Sequence, residues 1–271
     1  MSSAESLGID DYESLLLTLQ DELGVVVPEI QRVSLLERIQ TLLEVYNLDT
    51  FVALAERIRG GDEIRSQVLD VISQRQSGWA LSASVINILR KYVLDQLPEN
   101  ARVWIVDCGQ GQMAYALAME IAQHEHAAGG NKDIQIIATD HSAADIEQAM
   151  KEVYTERQLE GLKDEYKNLY TAASNNGSER QIRERISKNL SFSQCNLKED
   201  FSSLDMMDLI ICPDVLVYYS NGVKASILSR FAEQLKPGGI FLTGNNQAVV
   251  PFSQAFERVE HPAGIFYRKK S

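Results

Sequence analysis

Apolar residues recur at helical spacing through the first third of the chain and in short continuous runs through the rest. Leu15, Leu16, Leu19 and Leu23 form one stripe, punctuated by Gly24 and Pro28. Val33, Leu36, Ile39 and Leu43 form a second, and Phe51, Leu54, Ala55 and Ile58 a third that stops at Gly60-Gly61. Asp62 is placed to cap a fourth helix, whose apolar face is Ile64, Val68, Val71 and Ile72; Val85, Leu89, Tyr92 and Val93 mark a fifth. Side chains three and four apart share one helix face, so residues 1–98 read as a small helical domain with a linker helix.

From Arg102 the pattern changes. Apolar runs at 102–107, 134–139, about 190–195, 208–213 and 239–244 read as strands, with helical stretches between them. Pro237-Gly238-Gly239 is expected to end a helix and open the fifth strand. Runs at about 254–260 and 264–269 are close enough to pair as an antiparallel edge. Such alternation specifies an α/β domain over 99–271, with a mostly parallel sheet and an antiparallel edge strand. The polar segment 166–185, centred on Ser174-Asn175-Asn176-Gly177-Ser178, interrupts it and reads as a small surface insertion with a hairpin tip or flexible loop.

A net charge of −12 argues against a broad nucleic-acid-binding face. No apolar run reaches membrane-span length, and the acidic start MSSAESLGIDDYE lacks the pattern of a secretory signal. Cys108, Cys195 and Cys212 lie far apart beside apolar runs, which suggests buried free thiols in a reducing cytoplasm. His124 and His126 are two apart, hence on different helix faces, and no other ligand cluster accompanies them, so no metal site is expected.

The candidate chemistry lies at 103–119. Val103–Val106 is a strand, Asp107-Cys108-Gly109-Gln110-Gly111 a turn, and Gln112 opens a helix rich in Ala, Leu and Met. This order exposes backbone N–H groups and a helix dipole to a small anionic or zwitterionic ligand, which Gly109 and Gly111 would let approach closely. The second strand also ends in an acid, Asp140, suited to accept hydrogen bonds from both ribose hydroxyls of a nucleoside cofactor. Met113 takes the place of the third glycine of the dinucleotide fingerprint, which points away from NAD and towards S-adenosylmethionine (SAM).

These residues, with others along the chain, resemble the CheR-type chemoreceptor methyltransferases, which methylate glutamate side chains with SAM. Trp104, Cys108, Gly111, Tyr115, Leu117, Ala118 and Met119 fall on that family's first-strand motif, and Ala138-Thr139-Asp140 on its second. Ala149, Tyr154, Phe192, Asn196 and Leu197 follow, then Cys212, Val215, Leu216 and Tyr218 on its "CRNVLIYF" block. Leu235-Lys236-Pro237-Gly238-Gly239 and Ile265–Lys269 complete it. The resemblance implies a class I SAM-dependent methyltransferase (Rossmann-like) domain behind a helical one. It implies that Asp107, Gly109, Gly111 and Asp140 hold the cofactor, that Asn196, Leu197, Asp214 and Val215 frame its adenine, that Ser77 replaces a family threonine, and that Tyr218 lines the transfer site. Its implied partner is a protein, with chemoreceptor-like helices as substrate.

The chain departs from the family at the site. Met113 stands where a glutamate is directed at the cofactor, Leu81 where an arginine stands, and Cys212-Pro213-Asp214 where the family has Cys-Arg-Asn. Leucine cannot replace the guanidinium fork. Residues 1–98 also carry 15 acidic against 8 basic side chains, which makes an acidic substrate less expected. Three readings stay open: a protein-glutamate methyltransferase, a catalytically degenerate SAM-binding or protein-binding module, and an enzyme for another acceptor.

Overall fold

The computed structural model describes residues 9–27, 29, 32–73, 78–79, 81–130, 132–174, 177–213, 215–244, 249 and 251–270. Two compact units emerge: residues 1–75 with 215–224, and residues 76–214 with 225–271.

In the first unit, α1 (Ile9–Leu23), α2 (Arg32–Tyr46), α3 (Phe51–Gly60) and α4 (Asp62–Ser73) follow the apolar stripes. Leu15, Leu19, Leu54, Ile58 and Val68 are fully enclosed in its core. The α2 stripe differs from the expected one. Val33 is 71% exposed, and Leu35, Ile39, Leu42 and Leu43 face inward. Both sets fit a helical period, and only the neighbouring helices decide which face is covered. Thr50 caps α3 by accepting the Ala53 N–H at 3.1 Å.

Residues 78–79 and 81–98, expected as part of the helical domain and its linker, belong to the sheet unit. They contain α5 (Ala83–Ile88), a π-helical turn (Leu89–Val93) and α6 (Leu94–Gln96), and Val85, Ile88, Leu89 and Val93 enter the sheet unit's core. The strands are β1 (Arg102–Val106), β2 (Gln135–Asp140), β3 (Val153–Thr155), β4 (Thr171–Ala173), β5 (Glu179–Ile182), β6 (Leu190–Gln194), β7 (Met207–Cys212), β8 (Leu235–Thr243), β9 (Phe256–His261) and β10 (Gly264–Lys269). The helices between them are α7 (Gln112–Ala128), α8 (Ala143–Met150), α9 (Asp164–Tyr170), α10 (Glu184–Ser187) and α11 (Asn221–Gln234).

Seven strands form one sheet in the order β6-β2-β1-β7-β8-β10-β9, parallel except for β10, which pairs antiparallel with both neighbours. Central strands β1 and β7 are largely apolar, as strands buried on both faces must be. Edge strand β9 carries Glu257, Arg258 and Glu260, charges that discourage further pairing. The chain turns in opposite directions from β1, towards β2 on one side and β7 on the other, so a crevice opens at the carboxyl ends of these strands.

One expectation changes here, and one, the hairpin tip, gains a neighbouring strand. β8 begins at Leu235 and runs through Pro237-Gly238-Gly239, with a register irregularity opposite Met207/Leu209, so these residues form a bulged strand start. The 166–185 segment contains the β4–β5 hairpin, and β5 also pairs with β3, which makes a separate three-stranded antiparallel sheet. The cysteines are free; Cys108 and Cys212 are buried and Cys195 is half-buried. Among the described residues, no helix is long and apolar enough to cross a membrane.

Candidate functional site

Asp140 ends β2 and is only 4% exposed. Its Oδ2 accepts the Gly109 N–H at 2.8 Å and its Oδ1 the Ser142 N–H at 2.9 Å. His141 Nδ1 lies 3.2 Å from Oδ1. Burial pushes this carboxyl up. The hydrogen bond and charge of His141, with the two backbone N–H groups, outweigh burial and hold it below the usual carboxylate range. The acid is therefore ionised at neutral pH and rigidly aimed, while each oxygen keeps acceptor capacity for a ribose hydroxyl. Asp107 Oδ1 stands 4.0 Å from the same imidazole nitrogen. Asp107, Asp140 and His141 each bring a ligand atom within 4.8 Å of the others, a spacing compatible with a metal ion. No metal site is expected from the sequence, because Asp107 meets the adjacent Asp140-His141 only once β1 and β2 pair.

The glycine turn follows β1. Asp107, Gly109 and Gly111 have φ of 58°, 54° and 90°, so the chain reverses sharply at the sheet's carboxyl edge. Gly111 has a structural reason of its own. A Cβ there would stand 2.8 Å from Ala149 Cβ, 3.0 Å from Tyr154 Oη and 3.2 Å from Phe192 Cζ. The turn is braced from outside by Tyr154, whose hydroxyl donates to Gln110 O at 2.6 Å, and by Gln158 Nε2, which donates to Gln110 Oε1 at 3.3 Å. Trp79 Nε1 donates to Gln158 O at 2.6 Å, which ties residue 79 to the same brace. Burial drives the Tyr115 and Tyr154 hydroxyls far above their ordinary range, and the Cys108 thiol likewise, so all three stay neutral.

Gly111 precedes the 17-residue α7 and no side chain among the described residues caps it, which leaves the first N–H groups of the helix for a ligand. Gln112, the first residue of α7, is 2% exposed, and its Oε1 is buried with no donor among the described residues. An orphaned buried acceptor costs about 1–3 kcal/mol, which a bound donor would recover.

The loop after β6 carries Asn196 and Leu197. Asn196 Oδ1 accepts the Lys198 N–H at 3.0 Å, and its Nδ2 donates to Glu199 Oε1 at 3.1 Å. Arg230 of α11 donates to Leu197 O at 2.5 Å and to Glu199 O, and stacks 4.7 Å over the Phe201 ring. The sequence assigns no role to Arg230, Gln110, Gln112, Gln158 or His141. Gln110 and Gln112 have a signal there in the glycine turn and the helix start, and His141 in its place directly after the strand-end acid; Arg230 and Gln158 have none. Asp107, Gly109, Gly111 and Asp140 come together at the ends of β1 and β2, and Asn196-Leu197 follows the adjacent strand. Val215 and Tyr218 lie on a 3-10 helix (Val215–Tyr218) that belongs to the first unit, where the Val26 N–H donates to Tyr218 O at 2.7 Å. Ser77 and Asp214 lie outside the described residues. Leu81 is 4% exposed within the sheet unit's core, and Met113 packs against that core.

An ionised acid for a diol, an uncapped helix terminus and an orphaned buried acceptor suit a nucleoside cofactor with a zwitterionic tail. Comparison with known proteins agrees. The family model described as "CheR methyltransferase, SAM binding domain" matches residues 76–265. Chemotaxis protein methyltransferase 1 of Pseudomonas aeruginosa is 28% identical over 271 residues, 96% of this chain and 98% of its own. Chemotaxis protein methyltransferase Cher2 of Pseudomonas putida is 27% identical over 277 residues, 98% of this chain and all of its own. Among solved structures, a TehB-like SAM-dependent methyltransferase from Corynebacterium glutamicum aligns with a TM-score of 0.40 at 12% identity, covering 77% of this chain and 96% of its own. S-adenosylmethionine is the cofactor. With a family match across most of its length, over the segment that builds this site, the chain belongs to the CheR methyltransferase family.

Proposed function

We propose that this SAM-dependent methyltransferase modifies glutamate carboxylates on a protein partner, with helical chemoreceptor-type segments as the substrate class. The observation that carries the reading is the Asp140 carboxylate, fixed by Gly109 and Ser142 at the sheet's carboxyl end beside the glycine turn. Full-length similarity to proteins named chemotaxis protein methyltransferase supports the acceptor class. SAM supplies an electrophilic methyl group. Because a carboxylate acceptor is already ionised at neutral pH, the reaction needs no general base, and the protein contributes alignment and exclusion of water. Asp140 would hold the ribose hydroxyls, and Asn196 and Leu197 would border the adenine. Asp107 and the first N–H groups of α7 would face the amino-acid tail. Tyr218 is proposed for the acceptor side on its place in the Cys212–Tyr218 block.

Calorimetric titration with SAM and S-adenosylhomocysteine, on wild type and Asp140→Ala, tests the cofactor half. The variant should bind at least about tenfold more weakly, and equal affinity would remove this placement. Transfer of labelled methyl to purified chemoreceptor cytoplasmic fragments, with and without their glutamates, tests the acceptor half. Tyr218→Phe should lower kcat and leave cofactor affinity unchanged. A second reading, a SAM-binding protein that no longer transfers methyl groups, rests on Leu81 being enclosed in apolar core where the family places an arginine. Micromolar cofactor binding without methylation of any receptor fragment would establish it.

A further inference from the structure

A cavity of about 390 Å³ lies between α7, α9 and the π-helical turn Leu89–Val93, wholly within the second unit. That volume falls in the range of small-molecule sites. Glu120, which lines it, stands eight residues beyond Gln112, about 12 Å along α7 from the glycine turn, so the cavity is separate from the cofactor site. Glu120 is 6% exposed, and Arg90 meets it with two donors, Nε to Oε2 at 2.5 Å and Nη2 to Oε1 at 2.6 Å. The Tyr166 hydroxyl donates to Glu120 Oε1 at 3.1 Å and accepts from Arg90 Nη2 at 3.3 Å. Burial and the Glu120 carboxylate push that hydroxyl up to about 12, so it stays protonated. The charges of Arg90 and Glu120 thus cancel at the floor. Arg90 itself comes from a π-helical turn, a geometry that recurs at functional sites.

The rim differs from the floor. Lys163 Nζ lies 5.3 Å over the Tyr166 ring and, like the Glu165 carboxylate, has no ion-pair partner among the described residues. Arg90 Nη1 and the Gln123 amide are likewise without a hydrogen-bond partner there. His124, on the same wall as Gln123, is held by Asp95 at 3.0 Å. One unpaired cation and one unpaired anion around a neutral floor suit a ligand that carries both signs. A plain anion would meet Glu165, and a plain cation would meet Lys163.

We propose that this cavity binds a free α-amino acid with a neutral polar side chain. Its carboxylate takes Lys163 and Arg90 Nη1, its ammonium takes Glu165, and its side chain faces Gln123 and His124. The proposal does not depend on the acceptor of methyl transfer.

Calorimetric titration of the full chain with L-glutamine tests it, with S-adenosylhomocysteine present in excess so that the cofactor site is closed to the amino acid. L-glutamine should bind. Glutaramate, which lacks the ammonium, and γ-aminobutyramide, which lacks the carboxylate, should each bind at least about tenfold more weakly. Lys163→Met and Glu165→Gln alter exposed side chains, so both variants should fold like the wild type and lose at least about tenfold in L-glutamine affinity. Absence of L-glutamine binding at millimolar concentration would overturn the proposal. Unchanged affinity in either variant would also overturn it, since the amino acid would then sit elsewhere or leave that charge unused. Either analogue binding as tightly as L-glutamine would replace the zwitterion site with one for a single charge.

Discussion

Replacing Gly111 with alanine tests the packing of the glycine turn on two independent terms. The residue has φ of +90°, where a side chain clashes with its own backbone. That left-handed conformation costs a residue with a Cβ about 1–2 kcal/mol. The new Cβ would also stand 2.8 Å from Ala149 Cβ, with Tyr154 Oη at 3.0 Å and Phe192 Cζ at 3.2 Å. Forcing a methyl into a filled site costs about 1–3 kcal/mol, and here two of the three neighbours, Ala149 and Tyr154, are fully buried. Gly111→Ala should therefore lose roughly 2–5 kcal/mol. Tryptophan fluorescence in urea is a suitable assay, because both tryptophans, Trp79 and Trp104, are buried in the sheet unit and report its unfolding. Combining the change with Ala149→Gly removes the 2.8 Å contact and leaves the backbone term. The double variant should be more stable than the sum of the single effects by about 1 kcal/mol. A single-variant loss below about 1 kcal/mol, or strict additivity, would refute the steric account.

Further outcomes follow from the same contacts. Tyr154→Phe removes the donor to the carbonyl of half-buried Gln110 and should cost about 0.5–1.5 kcal/mol in the same urea assay, the net worth of one hydrogen bond. Arg230→Met should lower the urea midpoint by releasing the carbonyls of Leu197 and Glu199, and an unchanged midpoint would show the clamp to be idle. Leu81→Arg should destabilise the sheet unit by several kcal/mol, since a guanidinium would enter apolar core; a soluble variant of wild-type stability would mean that the side chain finds a polar path. The folded-state pKa of Asp140 lies below its unfolded value of about 3.9, so its ionised form adds stability that is present above that value and lost as pH falls through the folded pKa. The stability gap between wild type and Asp140→Ala should accordingly narrow as pH falls below about 4. A gap independent of pH would assign the loss to packing.

By itself the sequence determined the α/β class, the positions of all seven main-sheet strands to within a few residues, and the cofactor family. Each rests on local information: apolar runs in strands covered on both faces, stripes at helical spacing, and a glycine turn with strand-end acids. What only the tertiary structure decided depends on pairs distant in the chain. Val33 rather than Leu35 faces solvent because neighbouring helices select one of two compatible stripes on α2. The hairpin tip at 174–178 was legible, but its enlargement to a three-stranded sheet was not, because β3, before it, supplies a partner for β5. Gly111 is required for a second reason that no local pattern shows: Ala149, Tyr154 and Phe192 fill the space where a Cβ would stand. Arg230 and Gln158 carried no motif, and their roles came from the carbonyl and amide oxygens that the fold carried to them. Buried polar groups must find partners, and which partners they find is settled only when the strands are side by side.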